Sequence, residues 1–190
     1  MNPATPPKLF ARLDRELWLI TSAHAGHRGG LIATFVSQAS IVPELPRLLI
    51  GLAKQHHTCQ LIEASSVFVA HLLGEQHLDW VYRFGLQTGR NADKLAGLTL
   101  RPGVGGVPVL TDALGWLECR VEAKLDSGDR TLFLAEVVDG TLTDQEPLLT
   151  MQRFLQLAPA DKLQQLKAAL LRDAAVDAAA ITAWRQGGKD

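Results

Sequence analysis

Two runs, ALGWLECRVEAKL (113–125) and RTLFLAEVVDG (130–140), flank the turn Asp126-Ser127-Gly128-Asp129. In the first, Leu117, Cys119 and Val121 alternate with Glu118, Arg120 and Glu122, the two-residue period of a strand with one face in water. Two such runs about a glycine-containing turn predict a hairpin. A hairpin of this length constrains the chain more than any other feature, because its strands need partners on both sides. At 190 residues there is material for one sizeable core around it, and not for two.

Other strands are predicted at LWLITS (17–22), RLLIGLA (47–53) and VFVAHLL (67–73), with short helices at 56–65, started near Thr58, and at 75–87. The opening, with Pro3, Pro6 and Pro7, reads as an extended lead-in. AHAGHRGG reads as a turn leading into LIATFVSQAS (31–40). That stretch is strand-like in content, yet neither alternate set of its residues is cleanly apolar. Thr34, Ser37, Gln38 and Ser40 interrupt both. Beyond Thr141 the residues are Leu, Ala, Gln and Lys, strong helix formers, with a helix start after Pro159. The expectation is a mainly β domain over 1–140, a β-barrel with flanking helices, and a helical C-terminal extension over 141–190.

Composition excludes several classes. The formal net charge is −1 and the basic residues are scattered, with no stripe of the kind nucleic-acid binders carry. No apolar run reaches the length of a membrane span and the N-terminus lacks a secretory core, so a cytoplasmic protein is expected. Cys59 and Cys119 match no metal or redox spacing and read as reduced, buried thiols.

Three places offer chemistry. His24-x-x-His27 has no neighbouring cysteine or carboxylate, so a solvent-facing turn is expected there and no metal site. RPGVGGVP (101–108) lacks the strand-then-helix context of a dinucleotide fingerprint and reads as a loop between strands. AKQHHT (53–58) leaves a strand and enters a helix, gathering Lys54, Gln55, His56, His57 and Thr58 where free backbone N–H groups and the helix dipole favour an anion. Arg90 and Lys94 in TGRNADK (88–94) add charge, and each charge-assisted bond to a phosphate contributes about 1.5–3 kcal/mol.

Taken in order, these segments resemble the flavin reductase-like family with the FMN-binding split-barrel fold. Gly30 to Pro43 is similar to the family's G-M-T-A-N-S-F-T-S-V-S-x-x-P. RFGLQTGRNADKLAG is similar to F-x-x-x-S-G-R-x-x-D-K-F, VPVLTDALGWLEC to P-x-L-x-x-A-x-x-x-L-E-C, and SGDRTLFLAEV to G-D-H-x-x-F-x-G-E-V. The resemblance runs from about Leu17 to Gly140. It implies that Ala33, Thr34, Ser37, Gln38, Ala39 and Ser40 line a flavin ring and ribityl chain. Lys54, His56, His57 and Thr58 would hold its phosphate, with Arg90 and Lys94 as supplements.

The resemblance further implies FMN as cofactor, with FAD the alternative, NAD(P)H as reductant, and hydride transfer to the flavin without a catalytic side chain. A homodimer with flavin near the interface is implied, to which Trp80, Tyr82, Phe84 and Trp116 are candidates, core packing being their ordinary role. An electron-acceptor protein or a monooxygenase is the implied partner. Two positions depart from the pattern. Thr34 stands where many members carry Asn, and Arg130 stands where reductases often carry a His at the nicotinamide site. Two rival functions remain open: an FMN-retaining, flavoredoxin-like electron carrier, and a split barrel that has lost flavin and binds haem or nothing.

Overall fold

The structure is a computed structural model describing residues 5–87, 89, 92–143 and 146–187. Among them the long hairpin is β8 (Gly115–Asp126) and β9 (Arg130–Leu142). It sits inside a seven-stranded antiparallel sheet of order β2-β1-β5-β8-β9-β4-β3, where β1 is Trp18–His24, β2 His27–Ala33, β3 Val36–Gln38, β4 Arg47–Ala53 and β5 Val67–Leu72. The sheet curls until its two ends share a core: Leu31 and Ala33 on β2 join Leu48, Ile50 and Leu52 on β4 in one buried cluster. This is the split-barrel fold.

α2 (His57–Ser65) fills the mouth of the curl, with Cys59 and Ile62 in that cluster. Both cysteines are free and buried. A second cluster lies on the other face of β1, where Leu17 and Leu19 meet Val81 and Phe84 of α3 (Leu78–Leu86) and Phe154 of α4 (Met151–Leu157). α4 is tied back to the sheet by Leu149, whose N–H donates to the Leu73 carbonyl at 2.8 Å while its own carbonyl accepts from Leu17 at 2.9 Å. The long helix α5 (Ala160–Gly187) begins after Pro159, as its sequence predicts.

Some boundaries differ from expectation. Residues 5–10 form a short helix, α1, in place of the extended lead-in; prolines fit a first helical turn, whose N–H groups have no intrahelical partner anyway. β1 and β2 continue to His24 and His27, which pair across the two-residue turn Ala25-Gly26. Both turn residues have positive φ, 49° and 80°, the geometry that a right-twisted hairpin requires. The two histidines are therefore hairpin ends, and among the described residues no group of three metal-ligating side chains exists.

LIATFVSQAS is two strands. β2 stops at Ala33, the chain bends at Thr34 and Phe35, and β3 then joins the opposite edge of the sheet. Its mixed pattern is the sum of two strands whose inward faces are out of phase. The 101–108 segment carries a small hairpin, β6 (Leu100–Pro102) with β7 (Pro108–Leu110). No described helix is long and apolar enough to cross a membrane.

β5 carries the fully buried His71, whose Nδ1 lies 2.9 Å from the Leu19 carbonyl and whose Nε2 accepts from the Leu110 N–H at 3.0 Å. Nδ1 is thus the protonated nitrogen of a neutral ring, and burial lowers its pKa from 6.5 to about 4. The unfolded chain takes up the proton first, so this contribution to stability is complete above pH 6.5 and is lost as pH falls toward 4. Urea unfolding across that window is expected to show a loss on the order of 3 kcal/mol from this group. The fall should be correspondingly shallower in His71→Gln.

Candidate functional site

β4 ends at Ala53, which pairs with Arg130 at the start of β9. The turn Lys54-Gln55-His56 closes through the His56 N–H to the Ala53 carbonyl at 3.1 Å, and α2 begins at His57. Helix entry is set by His56, in extended geometry and without a side-chain cap, and not by Thr58, which is buried inside the first turn. The Lys54 N–H donates to the Asp129 carbonyl at 3.0 Å, so the β4–α2 turn is stitched to the β8–β9 turn.

Cations collect at this junction. Lys54 Nζ bonds Asp126, and the Arg130 guanidinium lies 3.2 Å from Asp129 and 2.9 Å from Asp177. Arg130 also stacks on the half-exposed Phe35 ring at 4.9 Å, and Arg15 approaches the same ring at 5.3 Å. Arg15 Nε is buried without a partner. Gln55 Nε2 donates to Asp177 at 3.1 Å, and His56 Nε2 is 4.0 Å from Asp173. Burial lowers the His56 pKa, Asp173 opposes the shift, and the neighbouring Lys94 and Arg130 charges add to it.

The 31–40 run reaches this junction at one end only. The Phe35 carbonyl accepts from the Gly51 N–H at 2.9 Å, which places the Thr34–Phe35 bend beside the last turn of β4. Ser37 and Gln38 pair with Leu49 and Leu48, and the Ala39 N–H donates to the Arg47 carbonyl at 2.9 Å. At about 3.3 Å per residue along β4, Ser37 lies roughly 13 Å from Ala53 and Ala39 roughly 20 Å. Their polar groups bond locally: Ser37 Oγ to the Gln38 carbonyl, Gln38 Nε2 to the Ser40 carbonyl, Ser40 Oγ from the Val42 N–H. Ala33 is buried in the core.

On the flank of α2, the His57 ring meets His27 edge-on at 6.5 Å. Lys94 is buried close by, and a Cβ on Gly89 would lie 3.6 Å from the His57 ring and 3.7 Å from Lys94 Cε. Lys94 Nζ donates to the Phe84 and Gln87 carbonyls at 3.1 and 3.0 Å, closing the end of α3, and burial pushes its pKa down to about 8. Arg90 lies outside the described residues. Lys54, His56 and Arg130 therefore meet at the junction, with Thr34 next in sequence to Phe35 at its edge; His57 and the buried Lys94 lie on the flank of α2, and Ser37 to Ser40 run on toward the entrance of β4. Of the aromatics, Phe84 and Trp116 are buried, Trp80 packs on His77 at 4.4 Å and Tyr82 on Phe154 at 6.1 Å.

Phe35, Arg15 and the two α5 carboxylates were not anticipated. The half-buried side of α5 reads Leu163, Leu166, Ala169, Asp173, Asp177 and Ala180, a helical stripe that turns acidic beside the cations. That spacing is the signal that could have found them. A recess of about 300 Å³ between the β1–β2 turn and residues 105–108 carries His24, His27 and Arg28 on its wall, and Arg28 is paired with Asp93 at 2.6 Å.

The family profile described as "Flavin reductase like domain" matches residues 10–157. The chain belongs to the flavin reductase-like family. Diflavin flavoprotein A 1 of Synechocystis sp. is 30% identical over 142 residues, 74% of this chain and 24% of that protein. The chain thus spans about a quarter of the length of that relative. High molecular weight rubredoxin of Moorella thermoacetica is 30% identical over 152 residues, 79% of this chain and 66% of that protein. Among solved structures, a flavin reductase domain protein from Arthrobacter sp. FB24 superposes with a TM-score of 0.70 at 24% identity, covering 79% of this chain and 91% of that one.

The junction's donors suit an anion: Arg130, Gln55 and His56 already hold carboxylates, and Arg15 Nε is an unused buried donor beside Phe35. Lys94, by contrast, serves the fold. Lys94→Met leaves two helix-end carbonyls without their charged donor and is expected to cost about 2–3 kcal/mol. Thermal melting should fall by roughly 5–10 °C, which differential scanning calorimetry would read.

Proposed function

We propose that this chain is an FMN-binding flavoprotein acting as an NAD(P)H-dependent flavin reductase. The observation that carries the reading is the junction at the end of β4. There a cluster of cationic and amide donors, the start of a helix and an exposed aromatic ring meet on a fold whose family is flavin reductase-like. Bound there, the flavin supplies the hydride chemistry.

The chain's part is to place and shield. Lys54, His56, His57 and Arg130 hold the phosphate end, where the positive end of α2 adds to their charge. The Thr34–Phe35 bend brings backbone and a small side chain against the ring edge. Ser37, Gln38, Ala39 and Ser40, which begin roughly 13 Å from the end of β4 and run on along the edge, are positioned to meet a ligand or chain lying across that edge rather than the phosphate. The exposed Ile41, Leu45 and Leu49 on the same edge support a homodimer in which a second copy covers it. Reduced flavin would then serve a monooxygenase or an electron-acceptor protein.

The second reading is an FMN-retaining carrier without a pyridine nucleotide site. It is favoured by Arg130, which fills the family's nicotinamide position and is engaged by both Asp129 and Asp177.

Rapid mixing of FMN-loaded protein with NADH and with NADPH decides between them. Bleaching of the flavin band within a turnover time is the expected outcome, and an unbleached band with both nucleotides overturns the reductase. Phosphate recognition has its own measure. FMN is expected to bind at least about tenfold tighter than riboflavin, with that margin shrinking in Arg130→Ala. Equal affinities for the two flavins would remove the junction from the ligand site.

A further inference from the structure

The common family pattern ends before α5, yet α5 lies directly over the junction. Its inward stripe is apolar where it passes α3: Leu166 comes within 3.2 Å of a Cβ placed on Gly85. At the other end Trp184 lies over the β8–β9 turn, 2.8 Å from a Cβ placed on Gly128. Between these contacts, where the helix crosses the cations, the stripe presents Asp173 and Asp177. The Asp177 carboxylate takes one bond from Gln55 at 3.1 Å and one from Arg130 at 2.9 Å, a bidentate arrangement on two donors, and Asp173 faces His56 at 4.0 Å. The Asp177 side chain is only 13% exposed, so the seat is a formed one and not a passing surface contact.

We propose that α5 is a displaceable cover whose Asp173 and Asp177 occupy the seat of a phosphate monoester, so that docking of the helix and binding of that phosphate exclude one another. The proposal rests on the reading of the junction as the phosphate end of a flavin site. Three observations on this chain support displacement. No residue of α5 is fully buried, and the side chains it packs on a core cluster, Leu163 and Leu166, are themselves only partly covered, so its release uncovers a limited apolar area. Its hold on the junction is by polar contacts, of which the His56–Asp173 pair is long at 4.0 Å and open to solvent, and the Asp177 contacts are to donors that another anion can use. A phosphate dianion presents more charge and more acceptor oxygens than one carboxylate to the same Arg130, Gln55 and His56. When Asp177 leaves, Arg130 keeps Asp129 at 3.2 Å, so the cation is never stranded.

The test follows amide hydrogen exchange of residues 170–187 in the full chain, in inorganic phosphate and in chloride at matched ionic strength. Faster exchange in phosphate than in chloride is expected for the unaltered chain. In the double variant Asp173→Asn, Asp177→Asn exchange should be fast in both salts, and FMN should bind about tenfold tighter than to the unaltered chain. Equal protection of the helix in the two salts overturns the proposal, and the measurement on the unaltered chain stands even if the variant fails to fold. Phosphate-specific release with no FMN uptake by either chain would leave the cover in place and remove the flavin reading alone.

Discussion

The register between β4 and β9 is the constraint on which the junction depends. The ladder runs without a shift from Arg47 opposite Glu136 to Ala53 opposite Arg130. It fixes Arg130 beside the point where the chain leaves the sheet, and it sets which residues of β4 face the core. A slip of one residue would turn Leu48, Ile50 and Leu52 to the outside and carry Arg130 away from Gln55 and Phe35. Core and site thus enforce the same alignment. The bulges of the β8–β9 hairpin, between Glu118 and Cys119 and between Val121 and Ala123, lie away from this segment and take up the twist that the curl demands.

Much of this was legible in the sequence because it is written in short-range pattern. The long hairpin, β4 over 47–53 and the helix break at Pro159 each follow from period, turn chemistry or a residue that cannot continue a helix. The passage from Ala33 to Val36 was not legible, because a chain that leaves one sheet edge for the other makes no local signature beyond a spoiled alternation. The start of α2 was misplaced for a related reason: Thr58 looks like a capping hydroxyl, but the side chain is needed inside, against Gly29, where a Cβ would come within 3.2 Å of its Oγ1. Lys94 and Arg130 look alike as surface charges in a sequence. Burial separates them, one closing a helix end and the other facing carboxylates from two elements.

The family resemblance pointed to the β4–α2 turn and Arg130, which the fold sets side by side, and also to Ser37 through Ser40, which run along β4 from Leu49 toward its entrance. Both placements follow from one fact. A strand that pairs antiparallel with β4 has one end near the exit of β4 and the other near its entrance. Only the bend residues can share a ligand's phosphate end with Lys54 in a single chain. A ligand that touches the whole run must lie along the edge, and the exposed apolar residues of that edge make it a surface that water alone covers poorly.

The geometry of α5 bears on why an acidic stripe can be carried over a cationic site without cost to the fold. From Leu166, packed near α3, to Trp184, over the β8–β9 turn, the helix advances eighteen positions, about 27 Å at 1.5 Å per residue. A rigid element of that span is located by its ends, and its middle is then held at a fixed distance from whatever lies beneath. Its residues are mostly Ala, Leu, Gln, Lys and Arg, whose helical preference does not depend on docking. Off the sheet the helix would lose the contacts that hold its ends and would fray more readily than when docked, while its middle is held by a few charged contacts. Those contacts are the ones a phosphate would make, so the same donors that favour the cover also favour what replaces it. Release would take Leu163 and Leu166 off the flank of the second cluster and leave the buried members of all three clusters, none of them in α5, in place.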